Sequence, residues 1–318
     1  MAVRMNTSKA RHWSQIGEST FVGGMWFMYA IYRIFGRVPF RVLLYPVISY
    51  YWLAKPVARR AFIDYLRRVQ AKSSAIGTRV RWHHSFRHLL AFAETILDKM
   101  LALSGRYRFV DLRYVGREPV LEMIAQGRGW VFLTAHMGCL EMIRAAAVRH
   151  RALKLNVLVH TRHAERFNRV MRRLNPDHSV KLIQVTEVNP ANAVLLADFI
   201  DRGEFVAIAA DRVPTSDSKI ARAEFLGEKA AFPVGGYVLA ALLRCPVYTL
   251  TCVREGTGHV VFFDAFAEKI QLPRAQRVDA LAGYARQFAH SLEARVAHSP
   301  YEWFNFYPFW DQPIGRVQ

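Results

Sequence analysis

The stretch FLTAHMGCLE at 132–141 places a histidine and a glutamate five residues apart, between an apolar run and a helix-like segment. We predict that a strand ends near Ala135 and that a helix starts around Gly138, a tolerable N-cap. Residues five apart on one straight helix point about 140° apart, so His136 must precede the helix that carries Glu141 if the two are to meet. Glu141 would then fix one imidazole nitrogen and leave the other free to take a proton. The residues alone leave a capping glutamate beside an incidental histidine as the alternative.

The same stretch offers a second chemistry through Cys139. A thiol just inside a helix N-terminus has a lowered pKa and can act as a nucleophile, which with His136 would give a cysteine-dependent thioesterase. An apolar helix face explains a lone cysteine equally well. Cys139, Cys245 and Cys252 form no CxxC pair and are too few for a disulfide framework, so we interpret them as reduced thiols.

Three further histidines, His83, His84 and His88, lie close together in the sequence. No carboxylate or cysteine falls into a metal-ligand pattern with them. We therefore expect no metal site and interpret the cluster as part of a basic, solvated or headgroup-facing surface.

Composition indicates an anionic partner. The 318 residues include 44 Lys and Arg against 25 Asp and Glu, a net charge of +19, while 52% of the residues are hydrophobic and 13% aromatic. Such an excess of positive charge requires nucleic acid, anionic lipid or an acidic protein as partner. The apolar and aromatic content near the N-terminus favours a membrane surface over nucleic acid.

We interpret residues 1–56 as a basic N-terminus followed by a helical membrane anchor. GRVP at 36–39 breaks the apolar stretch into two pieces, which predicts a helical hairpin or an interfacial helix pair. Arg33, Arg37 and Arg41 would lie at the cytoplasmic headgroups. A single tilted span and a buried pair of soluble helices are the alternatives.

The remainder divides into an amphipathic helical region at 57–104 and an α/β domain at 105–318. In the latter, short apolar runs alternate with helix-like segments, which predicts a mixed, largely parallel sheet flanked by helices. The predicted strands are 107–115, 129–136, 153–160, 180–187, 204–211, 245–255 and 258–266, and the predicted helices are 119–127, 139–149, 164–174, 190–202, 233–243 and 277–297.

Several blocks, in order, resemble a known family. HMGCLE is similar to the H-x4-D/E block of the lysophospholipid acyltransferase superfamily, and in detail to its bacterial branch, the lipid A late acyltransferases. LVHTR, GEFVAIAADRVP, AEFLGEKAAFPVGGYVLAALLRCPVYTL and EWFNFYPFWD resemble later blocks of these enzymes, so the resemblance covers roughly 105–312. The chain departs from the pattern at Asp211–Arg212, where many lipid A enzymes have Asp followed by Gln or His. REGTG at 254–258 is interpreted as a hairpin turn and not as the E-G-T-R block of glycerol-phosphate enzymes.

The resemblance implies a glycerolipid acyltransferase-like fold and acyl transfer from a thioester, on acyl carrier protein or coenzyme A, to a hydroxyl or amine of an envelope lipid or glycolipid. His136 would be the general base and Glu141 its orienting carboxylate, with backbone N–H groups near Gly138 or a basic side chain as oxyanion donors. Arg162 and Arg212 would hold phosphate, and Asp211 would either orient such an arginine or cap the strand.

Other expectations follow from the same resemblance. Gly227, Pro233 and Gly235 would shape a loop for lipid or pantetheine, with a plain turn as the alternative. The acyl thioester would be a co-substrate, with no resident cofactor and no nucleic acid. The expected partners are acyl carrier protein and inner-membrane phospholipid, at the cytoplasmic face of the bacterial inner membrane. A non-enzymatic, basic lipid-binding protein is the remaining alternative.

Overall fold

A computed structural model describes residues 22–107, 112–149, 154–159, 180–184, 190–214, 218–311 and 316–317. Within these ranges the α/β prediction is confirmed by a seven-stranded sheet with the order β1-β9-β8-β2-β5-β3-β4. Every neighbouring pair is parallel except β8 and β9, which form a hairpin closed by the predicted turn at REGTG. The strands of this sheet are β1 (Leu112–Val115), β2 (Val131–Gly138), β3 (Leu155–Val159), β4 (Val180–Gln184), β5 (Phe205–Ala209), β8 (Val247–Glu255) and β9 (Gly258–Ala267).

The helices pack around this sheet and N-terminal to it. The predicted helix at 164–174 lies outside the described residues. The described helices are α1 (Val22–Phe35), α2 (Arg37–Ala54), α3 (Pro56–Ser73), α4 (Trp82–Leu103), α5 (Glu118–Ala125), α6 (Leu140–Arg149), α7 (Pro190–Asp201), α8 (Gly235–Leu243) and α9 (Arg277–His298).

A smaller sheet, which the sequence pattern did not predict, packs beside α9. It consists of β6 (Lys219–Phe225) and β7 (Glu228–Pro233), paired antiparallel, with β10 (Arg316–Val317) parallel to β6. Phe225 and Phe232 from this sheet are fully buried in the main core together with Trp303. The small sheet and the C-terminal aromatic segment therefore cover one face of the strands that carry the site.

The N-terminal segment forms two helices, as predicted, with Gly36 at the break. However, the side chains of Arg37 and Arg41 are directed toward α4. Arg37 forms an ion pair with Asp98 and Arg41 with Glu94, both on α4. These two ion pairs join α2 to α4, so the headgroup interpretation is corrected for Arg37 and Arg41.

None of the described helices combines the length and the apolar character that crossing a bilayer requires.

Candidate active site

The site is built where two neighbouring parallel strands end. The β2–β5 register pairs Thr134 with Ala209, so His136, near the end of β2, lies beside Asp211, two residues further along than Ala209. The carboxyl ends of parallel strands are where ligand sites form in α/β sheets. Asp211 Oδ1 lies 2.8 Å from Nδ1 of His136, and its Oδ2 accepts the backbone N–H of His136 at 2.9 Å. The two carboxylate oxygens of Asp211 therefore contact His136 at its ring and at its backbone.

This geometry selects one form of the imidazole. With a carboxylate oxygen at Nδ1, the ring proton resides on Nδ1 and donates to Asp211, which leaves the Nε2 lone pair available. The Asp211 side chain is fully buried, whereas 41% of the His136 side chain is exposed. Nε2 is thus the nitrogen that can meet a substrate proton.

The charges of the site keep this base neutral. Partial burial in the site lowers the pKa of His136 most, the Arg212 cation lowers it further, and Asp211 opposes both without restoring the ordinary value. Burial alone would raise the pKa of Asp211, but His136 and Arg212 hold it far below its usual range. An ionised aspartate and a neutral histidine at neutral pH are the protonation states that general-base catalysis needs.

Glu141 is placed differently from the predicted dyad. It lies in the first turn of α6 as expected, but its carboxylate lies 3.2 Å from Nζ of Lys99 on α4. The carboxylate at Nδ1 of His136 is Asp211, which comes from β5 and not from the same loop. The orienting role at this nitrogen is therefore corrected to Asp211, while a contribution of Glu141 to catalysis stays a prediction.

Gly138 has a demanding backbone position. Its φ is +59°, and a Cβ there would lie 1.8 Å from the carbonyl oxygen of Cys252. Only glycine fits where β2 leaves the sheet and turns into α6. Its N–H donates to the carbonyl of Glu302 at 2.8 Å, and the N–H of Cys139 donates to Cys252 at 2.8 Å. These two N–H groups are thus engaged, which disfavours them as oxyanion donors, and an oxyanion role for other groups near Gly138 stays a prediction.

Cys139 is poorly suited to nucleophilic attack. Its side chain is fully buried, and burial together with the nearby Glu141 carboxylate raises the pKa of the thiol well above its ordinary value. A thiolate is the reactive species. The structure therefore disfavours the cysteine-dependent alternative.

Of the two arginines predicted to bind phosphate, Arg212 is at the site and Arg162 lies outside the described residues. The guanidinium of Arg212 donates to the carbonyl of Phe304, and its Cζ lies 5.8 Å from the ring centre of Tyr307. Its charge, after partial burial, lowers the pKa of His136.

The three residues predicted to shape a loop, Gly227, Pro233 and Gly235, lie in two short connections between secondary-structure elements. Gly227, with φ of +85°, turns the β6–β7 hairpin, where a Cβ would meet nothing. Pro233 ends β7 and Gly235 begins α8. It is the adjacent Gly236 that packs closely, since a Cβ there would lie 3.0 Å from Leu133 on β2. The plain-turn alternative accounts for Gly227, and a substrate role for these residues stays a prediction.

Two of the clustered histidines are buried, which corrects their interpretation as a basic surface. His84 accepts the N–H of Arg81, and only His83 is exposed. Burial lowers the pKa of His88 to about 3, and neither ring nitrogen has a hydrogen-bond partner among aromatic neighbours that include Phe62. Among the described residues, no group of His, Cys, Asp and Glu side chains is arranged to hold a metal.

Sequence reasoning missed two contributors to the site. Lys99 comes from α4 and Trp303 from the C-terminal segment, where its indole Nε1 donates to Oδ2 of Asp211 at 3.0 Å. Nothing local in the sequence marks Lys99. The aromatic block EWFNFYPFWD was the one signal that pointed to Trp303.

A histidine whose Nδ1 lies against a buried aspartate, at the carboxyl ends of two parallel strands, is an arrangement that suits general-base catalysis. The model of the bacterial lipid A biosynthesis acyltransferase family matches residues 91–312, more than half of the sequence, and the chain belongs to that family. It is therefore an acyltransferase, as the motifs predicted. No curated protein gave a significant match to the sequence.

Proposed function

We propose that the enzyme transfers a fatty acyl chain from a thioester, on acyl carrier protein or coenzyme A, to a hydroxyl or amine of an envelope lipid or glycolipid. The observation that carries this is the His136–Asp211 pair, in which Nδ1 of His136 meets Asp211 and 41% of the His136 side chain is exposed, in a chain of an acyltransferase family.

The chemistry follows from the pair. Nε2 of His136 takes the proton of the acceptor O–H or N–H as the acceptor atom attacks the thioester carbonyl carbon, and the C=O electron pair moves onto oxygen. The tetrahedral intermediate collapses, the C–S bond breaks, and the imidazolium returns the proton to the departing thiolate. Asp211 stabilises the imidazolium between these steps, which is the role of a buried carboxylate at Nδ1. No acyl-enzyme intermediate is needed.

The oxyanion requires positive charge or N–H donors. Because the N–H groups of Gly138 and Cys139 are engaged, the candidates that remain close to His136 are the cations Arg212 and Lys99, both of which act on its pKa. Either cation also suits a phosphate on the donor or acceptor. Glu141 would contribute by holding Lys99 in place.

The test of the function is a comparison of lipids by mass spectrometry in cells that carry the wild-type enzyme or His136→Ala. We expect one acylated species to disappear in the variant, because loss of a positioned general base costs about 10²–10⁴-fold in rate. Purified enzyme with acyl-carrier-protein and coenzyme A thioesters, assayed by thiol release, identifies the donor.

Cys139→Ser is the matched control, since it changes a residue in the same stretch and should retain substantial activity. Loss of the product in Cys139→Ser and its retention in His136→Ala would support the thioesterase alternative. No acyl transfer by the intact enzyme from any thioester to envelope lipids would contradict the proposal.

We further propose that α1 and α2 dock on the cytoplasmic leaflet of the inner membrane. While Arg37 and Arg41 face α4, the opposite side of the two helices exposes large apolar side chains. Aromatic groups and a net charge of +19 suit a surface of anionic phospholipid. The exposed side chains are Phe27, Ile34, Phe35, Val38, Val42, Leu43, Tyr45, Val47, Tyr50 and Leu53.

Substitution of this face should release the protein from lipid. We expect the triple variant Ile34→Glu, Val38→Glu, Val42→Glu to lower partitioning onto anionic vesicles at least about tenfold in a sedimentation assay, because full burial of one such side chain is worth about 1.5–3 kcal/mol. Point substitutions are preferable to deletion of residues 1–55, since deletion also removes the partners of Asp98 and Glu94.

The matched control places the same three charges on exposed apolar positions elsewhere, with Leu121→Glu, Val194→Glu and Leu242→Glu. Equal vesicle binding by the two triple variants would show that α1 and α2 are not the docking surface.

A further inference from the structure

The end of β2 is held by a segment from the far C-terminus of the chain. Met137 and Trp303 form an antiparallel bridge outside the regular strands. The N–H of Phe304 donates to the carbonyl of His136 at 2.9 Å, and the N–H of Gly138 donates to the carbonyl of Glu302 at 2.8 Å. The β2–β8 register shifts between Thr134 and Gly138, so this segment replaces ladder contacts that the sheet loses next to the catalytic histidine.

The side chain of Trp303 reaches the site from that segment. Its indole Nε1 donates to Oδ2 of Asp211 at 3.0 Å, the same oxygen that accepts the His136 N–H at 2.9 Å. Oδ1 is thereby left for Nδ1 of His136 at 2.8 Å. Among the contacts that the structure describes, this carboxylate accepts from the backbone N–H and the ring N–H of His136 and from the indole N–H of Trp303.

The indole itself is fixed. Trp303 is fully buried and packs edge-on against Tyr65 on α3, Phe225 on β6 and Phe309, with ring centres 5.0–5.3 Å apart. Such packing leaves the ring one orientation, with its N–H directed at Asp211. A rigid donor on a buried carboxylate is the kind of support that keeps a catalytic group in its productive geometry.

We infer that Trp303 is a positioning residue for acyl transfer: its indole N–H anchors Oδ2 of Asp211 so that Oδ1 stays at Nδ1 of His136. This rests on the proposed role of His136 as the general base. Trp303 touches no reacting atom and acts through Asp211.

Trp303→Phe keeps a buried aromatic ring and removes the N–H donor. We expect kcat to fall about 10–100-fold, the cost of a catalytic group displaced by about an ångström, with KM for the thioester nearly unchanged. Trp310→Phe is the matched control, because Trp310 packs on the same Phe225 ring but donates its N–H to the carbonyl of Phe225. It should keep the wild-type rate.

Two readouts separate positioning from a general loss of structure. First, Trp303→Phe should cost little further rate in an Asp211→Asn background, since residues that act as one unit are not additive. Second, the pKa of His136, followed by NMR of histidine-labelled protein, should move to lower pH, because a less firmly held Asp211 raises it less. The other charged groups around His136, Arg212 and Lys99, are unchanged in this variant.

The NMR readout needs no substrate, so it tests the inference even if the proposed function fails. A wild-type enzyme without acyl transfer would contradict the function, and a shifted His136 titration would still support the Trp303 contact. An active wild type in which Trp303→Phe leaves both rate and titration unchanged, or in which the losses from Trp303→Phe and Asp211→Asn simply add, would overturn the inference.

Discussion

Asp211→Asn is expected to lower kcat by about 10³–10⁴-fold, the cost seen when the carboxylate behind a catalytic histidine becomes an amide. The amide can donate to Nδ1 of His136, which would place the ring proton on Nε2 and leave no base facing the substrate. Because Asp211 raises the pKa of His136, removal of its charge should also move the acidic limb of the pH–rate profile to lower pH. Steady-state rates of thiol release between pH 5 and 9 measure both effects.

Glu141→Gln is the comparison that assigns the orienting role. Glu141 has Lys99 as its identified ion-pair partner, so its loss should lower the rate through Lys99 and displace the acidic limb less than Asp211→Asn does. The opposite pattern, a normal pH profile in Asp211→Asn and a displaced one in Glu141→Gln, would restore the dyad predicted from the sequence.

The pairing of His136 with Asp211 could not be predicted from spacing because it depends on strand order. Both residues end predicted strands, and the sequence does locate both. However, β5 lies beside β2 although β3 and β4 intervene along the chain. Glu141 was therefore the predicted partner because it is close to His136 along the sequence. In the folded protein, the neighbouring parallel strand supplies Asp211 instead.

The ion pairs of Arg37 and Arg41 were not predicted either, although the sequence contains a pattern that indicates them. Arg37 and Arg41 are four residues apart, as are Glu94 and Asp98, so each pair lies on one face of its helix. Matching pairs at the same spacing on two helices favour an ion-paired packing over headgroup contacts. Hydropathy and aromatic content concealed this pattern, because they describe the outer face of α2 and not the face against α4.

Asp98→Ala is expected to lower the free energy of unfolding by about 3–5 kcal/mol, the usual cost of removing one partner from a buried ion cluster. Asp98 is fully buried and pairs with Arg37 on α2 and Arg254 on β8, while Nε2 of His259 lies 3.5 Å away. Without the carboxylate, Arg254, whose side chain is only 18% exposed, loses its ion-pair partner. Urea unfolding in mild detergent, followed by tryptophan fluorescence, gives the difference.

Asp64→Ala is the matched control, because its ion pair with Arg68 spans one turn of α3 and its side chain is 52% exposed. Exposed pairs of this kind contribute about 0.3–0.5 kcal/mol.

The pH dependence of stability distinguishes the charge of Asp98 from its shape. Burial raises the pKa of Asp98, but His259, Arg254 and Arg37 hold it below its ordinary value. The stabilisation is therefore complete above about pH 3.9 and declines as the pH falls toward the folded-state pKa. A difference between wild type and Asp98→Ala no larger than that of Asp64→Ala at neutral pH would show that α2, α4 and the sheet are joined by packing and not by this charge.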